Sequence, residues 1–143
     1  MEIERKFLID ILPDLTKYEH NHICQGYLCT SPVVRVRRDG DRYYLTYKGE
    51  GLLAREEANL MLTKESFEHL LAKADGRIID KTRYLIPYNK YTIELDVFEG
   101  PLAPLVMAEV EFPSIEEASA FEPPIWFGTE VTNDPKYHNS NMI

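Results

Sequence analysis

The chain has 143 residues, 44% of them hydrophobic, with 24 acidic against 16 basic side chains and a formal charge of −8. That length and apolar content predict one domain, residues 1–143, with its own core. The acidic balance argues against nucleic-acid binding, because neutralising a run of phosphates ordinarily takes a basic excess. No stretch approaches the roughly 18 apolar residues of a membrane span. The start, Met1-Glu2-Ile3-Glu4-Arg5-Lys6, lacks the basic-then-apolar pattern of a signal peptide, so a cytoplasmic protein is expected.

Period-two alternation dominates the chain and predicts strands at 2–9, 22–29, 33–38, 42–49 and 52–62. Cys24 and Cys29, five apart and without a second pair, read as reduced, buried thiols rather than a disulfide or zinc framework. His20, His22, His69 and His138 do not cluster. Turn residues separate the strands, as in Arg38-Asp39-Gly40-Asp41 and Lys48-Gly49-Glu50-Gly51, and such short connections favour antiparallel hairpins. A helix follows. Thr63 is its N-cap, Phe67, Leu70, Leu71 and Ala74 form its apolar stripe, and Gly76 is its stop. Strands are expected again at 79–88, 91–99 and 105–113. Ser114-x-x-Glu117 then reads as a capping box opening a second helix that ends before Pro123-Pro124. From Trp126-Phe127-Gly128 to Ile143 periodicity fades, and a packed tail is expected.

The informative feature is the placement of charge within the strands, where residues i, i+2 and i+4 share a face. Glu2, Glu4 and Lys6 share one face against Ile3 and Phe7. Arg35 and Arg37 oppose Val34 and Val36; Thr46 and Lys48 oppose Leu45 and Tyr47. Arg55, Glu57 and Asn59 alternate with Ala58 and Leu60, and Lys81 and Arg83 with Thr82 and Tyr84. Glu94 and Asp96 alternate with Leu95 and Val97, and Glu109 and Glu111 with Val110 and Phe112. A sheet with one solvated face would produce such alternation. It would also mix signs, since like neighbours repel, whereas here like charges come in pairs within a strand. Eight strands closed into a barrel, charged side inward, would hold one small ligand. Buried charges then need partners. Grouped carboxylates suit Mg2+ or Mn2+, and grouped Lys and Arg suit phosphate, so the pattern describes a site for a polyphosphate with its metal.

The ordered set Glu2-Ile3-Glu4-Arg5-Lys6, Arg35-Val36-Arg37, Thr46-Tyr47-Lys48, Arg55-Glu56-Glu57, Lys81-Thr82-Arg83, Glu94-Leu95-Asp96 and Glu109-Val110-Glu111 resembles the CYTH superfamily, the triphosphate tunnel metalloenzymes. Gln25-Gly26-Tyr27-Leu28 and Trp126-Phe127-Gly128 further resemble its short bacterial inorganic triphosphatases. The resemblance implies a mainly β fold, a closed eight-stranded antiparallel barrel forming a tunnel with helices packed outside. It implies an enzyme that hydrolyses or cyclises triphosphates with Mg2+ or Mn2+. Glu2, Glu4, Glu109 and Glu111 match metal-binding carboxylates, and Glu57, Glu94 and Asp96 match positions for charge balance or a second metal. Lys6, Arg35, Arg37, Lys48, Arg55, Lys81 and Arg83 match phosphate-binding cations. Lys6 and Tyr27 match a pair acting beside the reacting phosphate; the attacking water is expected near Glu2 or a second metal. Asn59 stands where close relatives often carry a second acid, which bears on the number of metals.

The expected reaction is hydrolysis of tripolyphosphate to pyrophosphate and phosphate. Adenylate cyclisation, thiamine triphosphate hydrolysis using Trp126 and Phe127, and non-catalytic polyphosphate binding are the rivals. The partner is a small-molecule triphosphate. A closed barrel has no edge to pair, so a homodimer would form through outward side chains that the sequence does not single out. Seven acids and seven bases fall on the inward parity of the motif set, which assigns the negative excess to the outside.

Overall fold

The computed structural model describes residues 1–51 and 53–143. Alternating apolar and polar residues form β1 (Glu2–Ile9), β2 (Glu19–Thr30), β3 (Val33–Asp39) and β4 (Arg42–Lys48), and the short β5 (Ala54–Arg55) and β6 (Glu57–Met61) follow. Helix α1 (Lys64–Leu71) follows, then β7 (Asp75–Tyr88), β8 (Tyr91–Phe98), β9 (Val106–Glu111), α2 (Ile115–Ala120) and β10 (Phe127–Glu130). Neighbouring strands run β1-β9-β8-β7-β2-β3-β4-β6, all antiparallel, and the β5–β6 run returns to β1 through β5.

The eight expected strands are therefore the staves of a barrel, with 52–62 divided around Glu56; its first residue, Leu52, lies outside the described residues. Closure is narrow. Glu2 pairs with Arg55, Ile3 with Ala54, and the Glu4 N–H donates to the Leu53 carbonyl at 3.1 Å. Beyond that seam β1 leaves β5 and pairs with β10 instead, Phe7 opposite Glu130. The barrel is thus nearly closed where the sequence predicts a closed one. β10 also lies in the expected tail, and its four residues, one a glycine, are too few for alternation to reveal.

α1 is capped reciprocally: Ser66 N–H donates to Thr63 Oγ1 at 3.0 Å and Thr63 N–H to Ser66 Oγ at 2.9 Å. It ends at Leu71, short of the expected Gly76, because β7 already begins at Asp75. The residues after α1 press on the barrel wall at Gly26, where a Cβ would lie 2.8 Å from the Ala74 Cβ. At α2 only half of the expected capping box forms. Ser114 Oγ accepts from the Glu117 N–H, but the Glu117 carboxylate accepts instead from Tyr91 and Lys90.

The main apolar cluster lies on the convex side of the wall, where Phe7, Leu95, Ala108, Val110 and Phe112 meet Ala118, Phe121 and Phe127. Arg5 fastens this layer with a bidentate pair to Glu130 at 2.6 and 2.8 Å and bonds to the Ala118 and Phe121 carbonyls. A second cluster closes one end: Ile79, Phe98 and Met107 pack against Tyr137, Met142 and Ile143 of the C-terminal segment. With apolar groups outside and at one end, the middle of the barrel is left to charge. The thiols depart from expectation, Cys24 being half-buried and Cys29 exposed, because a register shift between Tyr27 and Cys29 puts both on the outward face of β2, opposite Arg38 and Val34. Among the described residues no helix is long and apolar enough to cross a membrane.

Candidate active site

The strand register brings the charged positions into facing rows. Glu4 lies opposite Glu111, and Lys6 opposite Glu109, which faces Glu94 on the next strand. Arg83 lies opposite Asp96. On the other side Tyr27 faces Arg35, which faces Thr46 and then Asn59, while Lys48 faces Glu57. These side chains surround a cavity of about 330 Å³. Of the sequence-derived site residues, Glu2, Glu4, Lys6, Tyr27, Arg35 and Arg37 line it, as do Lys48, Arg55, Glu57, Arg83, Glu94, Glu109 and Glu111. Lys81 and Asp96 do not; they lie beneath the wall, 0% and 1% exposed.

One wall is acidic. Burial, reinforced by Glu109, pushes the Glu4 carboxyl up to about 8, with Lys48 opposing. Burial also raises Glu111, helped by Glu57 and Glu94. Burial likewise raises Glu2 although Lys48 lies 2.8 Å from its Oε1. Glu109 behaves oppositely: burial would raise it, but Lys6 at 3.4 Å, Arg83 and Lys81 outweigh that and hold it well below the carboxylate range. The same pairing raises Lys6 against its burial. Positive charge is therefore short at Glu4 and Glu111 and sufficient at Glu109.

The facing wall, on β3 and β4, is basic. Burial and then the neighbouring Arg37 lower the Arg35 guanidinium to about 10, and its buried Nε has no hydrogen-bond partner among the described residues. Arg35 Nη2 donates to Thr46 Oγ1 at 3.0 Å, Thr46 to Asn59 Oδ1 at 2.5 Å, and Asn59 Nδ2 to Glu57 at 3.3 Å. Asn59 thus ties the basic wall to Glu57 without adding charge.

Below both walls, Asp96 accepts two bonds from Arg83, at 2.8 and 2.9 Å, and contacts Lys81 Nζ at 2.8 Å. Burial would raise Asp96, but Arg83 and Lys81 hold it below its ordinary value. Burial, with Arg83 and Arg37, brings Lys81 down to about 7 despite Asp96.

Five polar lining residues escaped the sequence reading. Asp39, Arg42 and Tyr44 share the parity of Arg37 and Lys48, so extending the alternation to the strand ends would have found them. Asn139 and Ser140 come from the aperiodic tail, where nothing in the sequence signals a site. That tail reaches inward: Lys6 Nζ donates to the Tyr137 carbonyl at 3.2 Å and Lys81 Nζ to Asn139 Oδ1 at 3.4 Å.

A divalent cation fits the acidic wall by charge and donor type, since Glu4 and Glu111 are hard oxygen donors short of positive partners. Among the described residues no three acidic, histidine or cysteine side chains form a ready cage.

The CYTH domain family matches residues 1–130. The chain belongs to the CYTH domain family. An inorganic triphosphatase of Nitrosomonas europaea is 45% identical to this CYTH chain over 146 residues, covering 99% of the chain and 95% of the relative. An inorganic triphosphatase of Acetivibrio thermocellus is 36% identical, covering 99% and 92%. A crystal structure of the inorganic triphosphatase NE1496 superposes with a TM-score of 0.74 at 40% identity, over 99% of this chain and 93% of that one. In this CYTH barrel Trp126 and Phe127 pack edge to face, 4.8 Å apart, against the outer apolar cluster and not in the cavity.

Proposed function

We propose that the chain is a metal-dependent triphosphatase that hydrolyses inorganic tripolyphosphate to pyrophosphate and orthophosphate with Mg2+ or Mn2+. The observation that carries this is a single cavity with opposed acidic and basic walls, each short of counter-charge. A polyanion accompanied by a hard cation supplies both deficits at once. Full-length similarity to two inorganic triphosphatases supports the same reading, as does the metal dependence general to CYTH triphosphatases.

Glu4 and Glu111, with Glu2, Glu57, Glu94 and Glu109 around them, would hold the cation. When bound it polarises phosphoryl oxygens and offsets charge on the departing phosphate. Arg35, Arg37, Lys48, Arg55 and Arg83 bind and orient the remaining oxygens, the guanidinium forks matching phosphate geometry. Lys6 and Tyr27 stand on adjoining cavity positions and donate to the reacting phosphate. Glu2, raised by burial and hydrogen-bonded to Lys48 at 3.0 Å, accepts the proton of the attacking water. Asp96, out of reach of the cavity, keeps Arg83 charged and in place, and Lys81 contacts the same carboxylate from beneath. The working unit is residues 1–143, because Asn139 and Ser140 belong to the cavity wall.

A panel of tripolyphosphate, ATP and thiamine triphosphate with Mg2+ and with Mn2+ tests the reading. Orthophosphate and pyrophosphate in equal amounts from tripolyphosphate are expected, with little product from the other two. Cyclic nucleotide from ATP, or tight polyphosphate binding with no phosphate release under either metal, overturns it. Trp126 and Phe127, the pair expected to serve thiamine recognition, lie outside the cavity, which weighs against that rival.

A further inference from the structure

Gln25 is fully buried, at 0% exposure, and does not reach the cavity. Both ends of its amide nevertheless bond to residues that do. Oε1 accepts from Arg37 Nε at 2.7 Å, and Nε2 lies 3.2 Å from the Tyr27 hydroxyl.

The direction of these two bonds is fixed by chemistry. A guanidinium only donates, so the amide atom facing Arg37 is the oxygen. The amide nitrogen then faces Tyr27, and because it too only donates, the phenolic oxygen is the acceptor. Tyr27 therefore cannot spend its own proton on Gln25. Lys6, the charged neighbour of Tyr27, has no acceptor to offer either. The Tyr27 O–H is left to donate into the cavity, where phosphate oxygens would lie. Arg37 is constrained in the same way. Among the described residues its hydrogen bond to protein runs through Nε. The two Nη groups are left for a bidentate contact with phosphate.

We propose that Gln25 is a positioning residue: its amide orients the Tyr27 O–H and the Nη edge of Arg37 toward the substrate phosphates. This rests on the triphosphatase reading above. It adds a third residue, invisible from the cavity, to the pair that touches the reacting phosphate. An apolar side chain of equal length would fill the position but leave both partners free to rotate.

Two near-isosteric substitutions separate the two arms. Gln25→Met removes both bonds. Gln25→Glu keeps the bond from Arg37 but, as a carboxylate, accepts from Tyr27 and turns its proton away from the substrate. Phosphate release from tripolyphosphate would be followed for wild type, both variants, Tyr27→Phe and the Gln25→Glu/Tyr27→Phe double variant, with melting temperature recorded for each. The expected results are a kcat loss of about tenfold or more for Gln25→Met with KM raised, and a comparable kcat loss for Gln25→Glu. In the Tyr27→Phe background the kcat penalty of Gln25→Glu should shrink to within about twofold, because no phenolic proton remains to misdirect.

Equal penalties in the two backgrounds would sink the proposal, as would wild-type kcat and KM in a folded Gln25→Met variant. Failure of both single variants to fold would also overturn it, by showing that Gln25 holds the barrel rather than aims its site. Wild-type protein that releases no phosphate with either metal would instead refute the functional reading, and this proposal with it.

Discussion

Two groups of buried charge in this barrel are treated in opposite ways. Under the wall, Asp96 is closed in by Arg83 and Lys81, and every atom of the triad is satisfied within the protein. Around the cavity, Glu4 is pushed up to about 8 and Arg35 retains a buried Nε with no partner among the described residues. Lys81 and Asp96 need nothing from outside and behave as structure, and Asp96 holds Arg83 at the edge of the cavity. The second group is complete only when a cation meets one wall and an anion the other, which is what a binding site requires of its free state. Low dielectric makes both consequential: it strengthens satisfied pairs and penalises unsatisfied ones.

This contrast is sharpest when one member of each group is removed. Asp96→Asn leaves Arg83 and Lys81 buried without their carboxylate and should cost about 3–5 kcal/mol of stability. Chemical denaturation measures it, and a loss under 1 kcal/mol would show that the triad is not structural. Wall substitutions should do the reverse. Glu111→Ala, at an exposed carboxylate, should leave the melting temperature nearly unchanged while phosphate release falls about 10²–10³-fold. Undiminished turnover in a folded Glu111→Ala protein would remove that residue from the site.

The acidic wall also predicts a pH effect of definite sign. A carboxyl whose folded pKa of about 8 exceeds its ordinary 4.5 binds extra protons in the folded state across that window. Its contribution to stability therefore falls as pH rises through the window. The difference in melting temperature between Glu4→Gln and wild type should grow from about pH 5 to about pH 9, and Mg2+ should narrow it at the alkaline end. A difference independent of pH would mean that Glu4 titrates normally. The smallest effect is expected at Asn59. Asn59→Asp can still accept from Thr46 but no longer donates to Glu57, and it sets a like charge beside it. Tripolyphosphate KM should rise about twofold to tenfold as Arg35 gains a counter-charge, with metal binding by calorimetry altered in parallel.

Period-two alternation was enough to find the eight staves and the inward parity of Glu2, Glu4, Arg35, Arg37, Glu109 and Glu111, and caps with an apolar stripe found the two helices, because these are local properties that a sequence carries directly. Alternation does not say whether a charged face meets water or another charged face. That was decided by closure, and closure rests on the pairing of Glu2 with Arg55 and Ile3 with Ala54, residues more than fifty positions apart. Closure also separated Lys81 and Asp96 from the side chains they resemble in sequence. Both have the correct parity, but their depth beneath the wall depends on register and on the tail above them. Gln25 reads as an ordinary strand residue until Arg37 and Tyr27 are brought to its two ends. The C-terminal segment has no period at all, and it is held at the end of the barrel by Tyr137, Met142 and Ile143 packing on residues far along the chain. The sequence by itself determined which side chains are charged and on which face of each strand they stand. Only the tertiary structure decided which of those charges satisfy one another and which wait for a ligand, because that depends on distances between strands and on exclusion of water, neither of which is a local property.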